Sequence, residues 1–414
     1  MPEKQRPPLQ RTEPKRRVIL WVACLAHTIQ DGLTATVYVL LPVLAQSLGL
    51  NLSEVGLFKG LKSLAQGLLE IVSGVASERF GDRRLLVFGL AVSGCAYLLF
   101  SLVDSATGVL LSLIAVGVGT AFQHAPASAL VSRAYGTEGR RGALGLYNSS
   151  GDVGKLIFTT SFSLAIGAGL AWNFPIFAFG LAGVLAAAVV FAALRSSRLA
   201  SSVAYQAVRQ IGGGAQQTAT KWGIIDKRRF IALLAVVFLD STVQAGALTF
   251  AAFLMLAKGV PLYLATFAAT AILVGGIFGK AICGFMADRI GARTAFALAQ
   301  TLTAIGLVAV VFSPSILAYV LMPFLGIVLQ GSTSITYSMV NDFVHPSRVS
   351  RGFALIYGGS GLSSVIGPLS FGLIGDAYGV SAAILAMAVV AVLAIPPCLI
   401  LRVGSARPSQ KPAI

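Results

Sequence analysis

Apolar residues in this chain fall in long unbroken runs separated by short polar stretches, and the spacing of those runs predicts its elements. A membrane-spanning helix needs roughly 20 mostly apolar residues. Runs of that kind lie at about 18–44, 54–77, 85–103, 107–132, 142–168, 172–194, 231–257, 262–287, 294–312, 315–341, 351–375 and 380–401. A transmembrane β-barrel would show alternating segments of about ten residues, whereas LAAAVVFAAL and ILAMAVVAVLAIPPCLI do not alternate. The expected fold is an all-α integral membrane protein with twelve transmembrane helices. Composition agrees: 56% of the 414 residues are hydrophobic and only 11% charged, with a mean hydropathy of +0.83, far outside the range of a soluble domain.

The longest polar stretch, 195–230, is rich in Ser, Gln, Gly and Arg and divides six runs from six. Segments on its two sides repeat at a spacing of 210 residues. GVASERFGDRR begins at Gly74 and GFMADRIGAR at Gly284; RGALGLYNSSG begins at Arg141 and RGFALIYGGSG at Arg351. Two related six-helix bundles are implied, inserted in the same direction because six passes return the chain to its starting side. The expected organisation is a basic amino-terminal segment (1–17), a first bundle (18–194), a linker (195–230), a second bundle (231–401) and a tail (402–414).

Basic residues near span ends are retained on the cytoplasmic side. If the amino terminus is inside, 26 of the 31 Lys and Arg residues fall in cytoplasmic segments, and only Lys258 falls in an external loop. Both termini are expected in the cytoplasm, with the chain in a bacterial inner membrane. The same placement accounts for the net charge of +16 without a nucleic-acid partner. The first run is too long for a signal peptide and carries His27, Gln30 and Asp31 at its centre. The four cysteines lie singly in apolar runs, so neither a disulfide framework nor a zinc motif is indicated. IGGGAQQ lacks the Lys-Ser/Thr of a phosphate loop. No metal, cofactor or enzymatic activity is expected.

The turn between the second and third helices, with its copy in the second bundle, resembles the G-x-x-x-D-R-x-G-R-R loop of the major facilitator superfamily. The first copy matches at Gly74, Arg79, Gly81 and Arg83, with Glu78 replacing Asp and Asp82 replacing a basic residue; the second matches at Gly284, Asp288, Arg289, Gly291 and Arg293. The resemblance covers nearly the whole chain. It implies a secondary transporter whose bundles rock about a central site, with the loop charges forming an ionic latch between bundles at the cytoplasmic face. HTIQDGLTATVYVLLPVL, GVGTAFQHAPASAL and SSGDVG also resemble the fosmidomycin-resistance-like branch of exporters. This chain departs from that branch at His124-Ala125-Pro126, at Asp152 and Lys155, and in lacking a Gly-Pro at 157–159.

A charge at the centre of a spanning helix costs about 2.5–3.5 kcal/mol on insertion scales and normally faces a cavity or a partner. The candidates for a substrate and proton cavity are His27, Asp31, Lys59, Lys62, Glu70, His124, Asp152, Lys155, Asp240, Gln244 and Lys280. Asp31 and Lys155 lie at similar depth, so they could pair. Asp152 and Lys155 could equally neutralise one another as a structural pair, Lys59 and Lys62 could snorkel to the interface, and Glu70 and Lys280 occupy equivalent places in the repeat. Histidine titrates near neutrality, which suits His27 beside Asp31. The leading expectation is a monomeric, proton-coupled exporter of a small molecule. An importer or exchanger of a small anionic metabolite, and a receptor or assembly protein that transports nothing, are the alternatives.

Overall fold

A computed structural model describes residues 13–135, 139–196, 223–345 and 349–401, which are almost entirely helical. The first bundle holds α1 (Glu13–Leu48), α2 (Leu52–Phe80), α3 (Asp82–Phe100), α4 (Ala106–Thr120), α5 (His124–Tyr135), α6 (Arg140–Gly167) and α7 (Asn173–Ser196). The second holds α8 (Lys227–Ala257), α9 (Leu262–Ala265), α10 (Phe267–Ile290), α11 (Ala292–Phe312), α12 (Ser315–Phe343), α13 (Val349–Tyr378), α14 (Val380–Leu393) and α15 (Ile395–Ile400). Taking α4 with α5, α9 with α10 and α14 with α15 gives twelve passes. Residues 1–12, most of the 195–230 linker and the 402–414 tail lie outside the described residues.

Three expected single spans are interrupted. The 107–132 span breaks at 121–123 because Pro126 has no N–H to offer the Phe122 carbonyl, and a separate helix then starts at His124. Pro396 and Pro397 break the 380–401 span at Ala394 in the same way. The 262–287 span breaks at Thr266. Among the described residues, nine passes are long and apolar enough to cross a membrane. The other three, α2, α6 and α13, are the ones whose sequences carry charge or many small polar residues, and they occupy the interface between the bundles.

The bundles meet most closely where α2 crosses α13. A Cβ on Gly56 would overlap the Pro368 carbonyl, and one on Gly372 would overlap that of Leu52, so only glycine lets these backbones touch. The Asp376 carboxylate closes the same end across the interface, accepting hydrogen bonds from the backbone N–H groups of Leu52 (2.7 Å) and Ser53 (2.9 Å). Toward the other end the two helices part. A Cβ on Gly67 would reach Gly361 only at 3.8 Å, and one on Gly358 would meet nothing. The molecule is thus sealed at the end holding Leu52 and Asp376 and looser at the end holding the 81 and 291 turns. Gly81 (φ 81°) and Gly291 (φ 83°) make those turns in the left-handed region that glycine tolerates. They are 210 residues apart, so the repeat is a repeat of conformation as well as of sequence.

Candidate functional site

Helices α1 and α6 pack backbone to backbone because a Cβ on Gly154 would overlap the Thr28 carbonyl. That crossing sets Asp31 against Lys155. The Lys155 Nζ lies 3.2 Å from Asp31 Oδ2 and 3.0 Å from Asp152 Oδ1. Asp31 also takes His27 Nε2 at 3.3 Å from one turn earlier on α1, and His124 Nε2 at 3.8 Å from the first residue of α5. On the far side of the interface, Lys280 of α10 donates to both oxygens of Asp152, at 2.7 and 3.0 Å.

Six candidates therefore form one chain of opposite charges running from His27 and His124 through Asp31, Lys155 and Asp152 to Lys280. Asp152 is shared between a lysine of its own bundle and a lysine of the other. A recess beside it is lined by Asp152, Lys155, Leu273, Gly276, Lys280 and Gln330, drawn from both bundles. The amide nitrogen of Gln330 is buried with no hydrogen-bond partner among the described residues. Sequence reasoning missed this residue, since a lone Gln in an apolar run carries no motif.

Other candidates lie elsewhere. Lys59 and Lys62 are buried, at 5% and 1% exposure, so they do not snorkel. Lys59 donates to Ser63 (2.8 Å) with its ammonium over the Tyr38 ring, and Lys62 donates to Gln66 (2.6 Å). Glu70 forms no ion pair with Lys280 among the described residues; Lys280 is engaged by Asp152 instead. Asp240 stands in a separate polar pocket of the second bundle. Its carboxylate accepts from Gln244 (2.8 Å), Gln300 (2.6 Å) and Ser332 (2.8 and 3.0 Å), with no Lys, Arg or His in ion-pair range among the described residues.

Among the described residues, the side chains of the two loop motifs make contacts within their own bundles. Asp82 pairs with Arg133 of α5 and accepts from Ser77, and Arg83 reaches the Phe191 carbonyl at 3.4 Å, all within the first bundle. Arg79 and Arg289 sit over neighbouring rings, Phe80 and Phe285, each within its own bundle. A Cβ on Gly284 would meet nothing, and the side chain of Glu78 lies outside the described residues, as does the surrounding of Gly74. Asp288 and Arg293 form no ion pair to the other bundle among the described residues. Among the described residues, the ion pair that crosses the interface is Asp152–Lys280, in addition to the Asp376 hydrogen bonds to Leu52 and Ser53.

Comparison with known proteins agrees with this architecture. The profile of the Major Facilitator Superfamily matches residues 23–280 and 233–414. The chain is 25% identical over 390 residues to the uncharacterized MFS-type transporter YfnC of Bacillus subtilis, covering 91% of each. Over 137 residues, 33% of this chain, it is 27% identical to the uncharacterized MFS-type transporter MJ1560 of Methanocaldococcus jannaschii. Its fold is similar to that of a bacterial homolog of the human lysosomal transporter Spinster, in an inward-facing and occupied conformation (TM-score 0.78, 16% identity, 94% of this chain and 97% of that one). It is also similar to a mutant of the nucleoside transporter NupG (TM-score 0.70, 11% identity, 92% and 99%). The chain belongs to the Major Facilitator Superfamily and is a membrane transporter.

Proposed function

We propose that the protein is a proton-coupled secondary exporter that exposes one central site alternately to each side of a bacterial plasma membrane, with both termini in the cytoplasm. The observation that carries this reading is Asp152, held at once by Lys155 of its own bundle and Lys280 of the other. A carboxylate shared in this way ties the bundles together in the present arrangement, and a proton or a substrate that takes Asp152 releases Lys280 and lets the bundles rock. The Lys280 side chain is 43% exposed and that of Asp152 14%, so the pair is worth about 1 kcal/mol, enough to shift the balance between two arrangements severalfold. Asp240 supports a proton as the coupling ion. It is a buried carboxyl with neutral hydrogen-bond partners, and the titratable groups near it are Cys283 and Tyr337. An uncompensated negative charge is costly in a membrane interior, and a proton removes it without needing space. Export follows the resemblance to the fosmidomycin-resistance-like branch. We expect a monomer, since each bundle finds its partner within the chain.

One observation favours a second reading. Lys155 and Lys280 both face the recess between the bundles, which suits a small organic anion as substrate. A thermal-shift screen of the detergent-purified protein against lipophilic cations, neutral drugs and small organic anions identifies the ligand class, because a compound that binds only the folded state raises its apparent stability. The compound so found, added to everted vesicles energised acid-inside, should dissipate the proton gradient, and Asp240→Asn should abolish the effect. Uptake of the compound that persists at full rate after the gradient is collapsed would remove proton coupling and leave the anion exchanger.

A further inference from the structure

We infer that the first bundle contains a site for a divalent transition metal of the zinc class, formed by His27, Asp31 and His124. His27 Nδ1 lies 2.8 Å from the backbone carbonyl of Tyr147. A carbonyl only accepts, so Nδ1 carries the hydrogen, and in the neutral ring Nε2 is a bare lone pair. That lone pair faces Asp31 Oδ2 at 3.3 Å. Two acceptors pointing at each other at this range call for a cation between them.

A proton would join His27 to Asp31 but would leave His124 Nε2 3.8 Å from Asp31 Oδ1 with nothing between them. A metal ion joins all three. Zinc binds imidazole nitrogen and carboxylate oxygen at about 2.0–2.2 Å, so neighbouring ligand atoms of a tetrahedral site stand roughly 3.3–3.5 Å apart. One ligand atom from each of the three residues lies within 4.8 Å of the others, and His27 Nε2 stands 3.3 Å from Asp31 Oδ2. The bond from His27 to the Tyr147 carbonyl is the outer-shell contact that fixes the tautomer and orientation of a metal-ligating histidine. The Tyr147 ring stacks on the imidazole at 4.2 Å and holds it further. His27 and Asp31 are buried, while the His124 side chain is 38% exposed, leaving the fourth position open to water or to a donor atom of a substrate. The one-turn spacing of His27 and Asp31 is legible in the sequence, but His124 joins them from the start of α5, after the helix break before Pro126.

Lys155 is the competing cation, since its Nζ sits 3.2 Å from the same Asp31 oxygen that faces His27. Metal on Asp31 pushes Lys155 fully onto Asp152, where it competes with Lys280. Occupancy of the site is thereby linked to the bond between the bundles. The site itself is built from the first bundle alone, so it stands whether or not the exporter reading holds.

The test uses the full chain, purified in detergent without an affinity tag, titrated with ZnCl2 and with MgCl2 as the hard-cation comparator, following the unfolding midpoint and the heat of binding. Zinc should raise the midpoint and magnesium should not. His124→Gln and His27→Gln should each weaken zinc binding by about 10–100-fold, on the scale of disrupted metal shells, and Lys155→Met should strengthen it about tenfold by the same measure, an effect opposite to that of a damaged fold. CoCl2 should give the visible absorption of a four-coordinate site, lost in His124→Gln. Absence of a zinc effect on the wild type, or a zinc effect of equal size in both histidine variants, overturns the site. The first outcome leaves a proton shared by His27 and Asp31, and the second places the metal elsewhere.

Discussion

Helix α8 is the repeat counterpart of α1, and the two solve the same physical problem differently. Gln30 of α1 stands 210 residues before Asp240 of α8. Gln30 donates to Ser93 (2.7 Å) and Thr120 (3.1 Å), a neutral network between neutral groups. Asp240 draws Gln244, Gln300 and Ser332 around a carboxyl. The first bundle carries its carboxylate one residue further on, at Asp31, where α6 supplies Lys155 and two histidines close in. A buried acid is thus compensated by charge in one bundle and by hydrogen bonds alone in the other. Symmetric folds do not require symmetric chemistry, and in the roles proposed above the asymmetry assigns cation exchange to the first bundle and proton exchange to the second.

That contrast predicts unequal responses to substitution. Lys155→Ala removes the lysine of buried Asp31, leaving it only His27 and His124 while Asp152 keeps Lys280, and should cost about 3–5 kcal/mol, seen as a large fall in the unfolding midpoint in detergent. Gln30→Glu places a second carboxylate beside Asp31 with no cation of its own. It should cost about 1–3 kcal/mol, the penalty for a buried polar group left unmatched, by the same measurement. Asp240→Asn keeps a hydrogen-bonding group of nearly the same shape and should cost about 1 kcal/mol or less, while abolishing gradient dissipation in vesicles. Equal losses of stability in Lys155→Ala and Asp240→Asn would erase the distinction between the bundles.

Much of this was legible in the sequence. Run lengths gave the passes, the 195–230 stretch and the 210-residue repeat gave the two bundles, and the intramembrane charges marked six residues that meet. Which of those charges meet was harder to read, because contact depends on how each helix is rotated and where it breaks. Asp31 and Lys155 could be matched by depth, but Lys280 turns to Asp152 rather than to its repeat partner Glu70. His124 joins Asp31 only because Pro126 interrupts the fourth pass. Lys59 and Lys62, near a span end in sequence, are buried by the close approach of α4, where a Cβ on Gly117 would overlap the Lys62 carbonyl. The loop motifs suggested a latch; among the described residues Asp82 pairs instead with Arg133 of its own bundle, while the Glu78 side chain lies outside them.

The role proposed for the Asp152–Lys280 bond is to hold the bundles in the present arrangement. It is tested most directly by spin labels at Phe80→Cys and Ile290→Cys, both exposed positions beside the 81 and 291 turns, in a chain whose four native cysteines are replaced. Electron–electron distance measurements should give one long separation for the otherwise unaltered chain and a second, shorter population when Asp152→Asn removes the bond, as the loose end closes. Identical distance distributions with and without Asp152→Asn would contradict the account, since the bond would then hold nothing that moves.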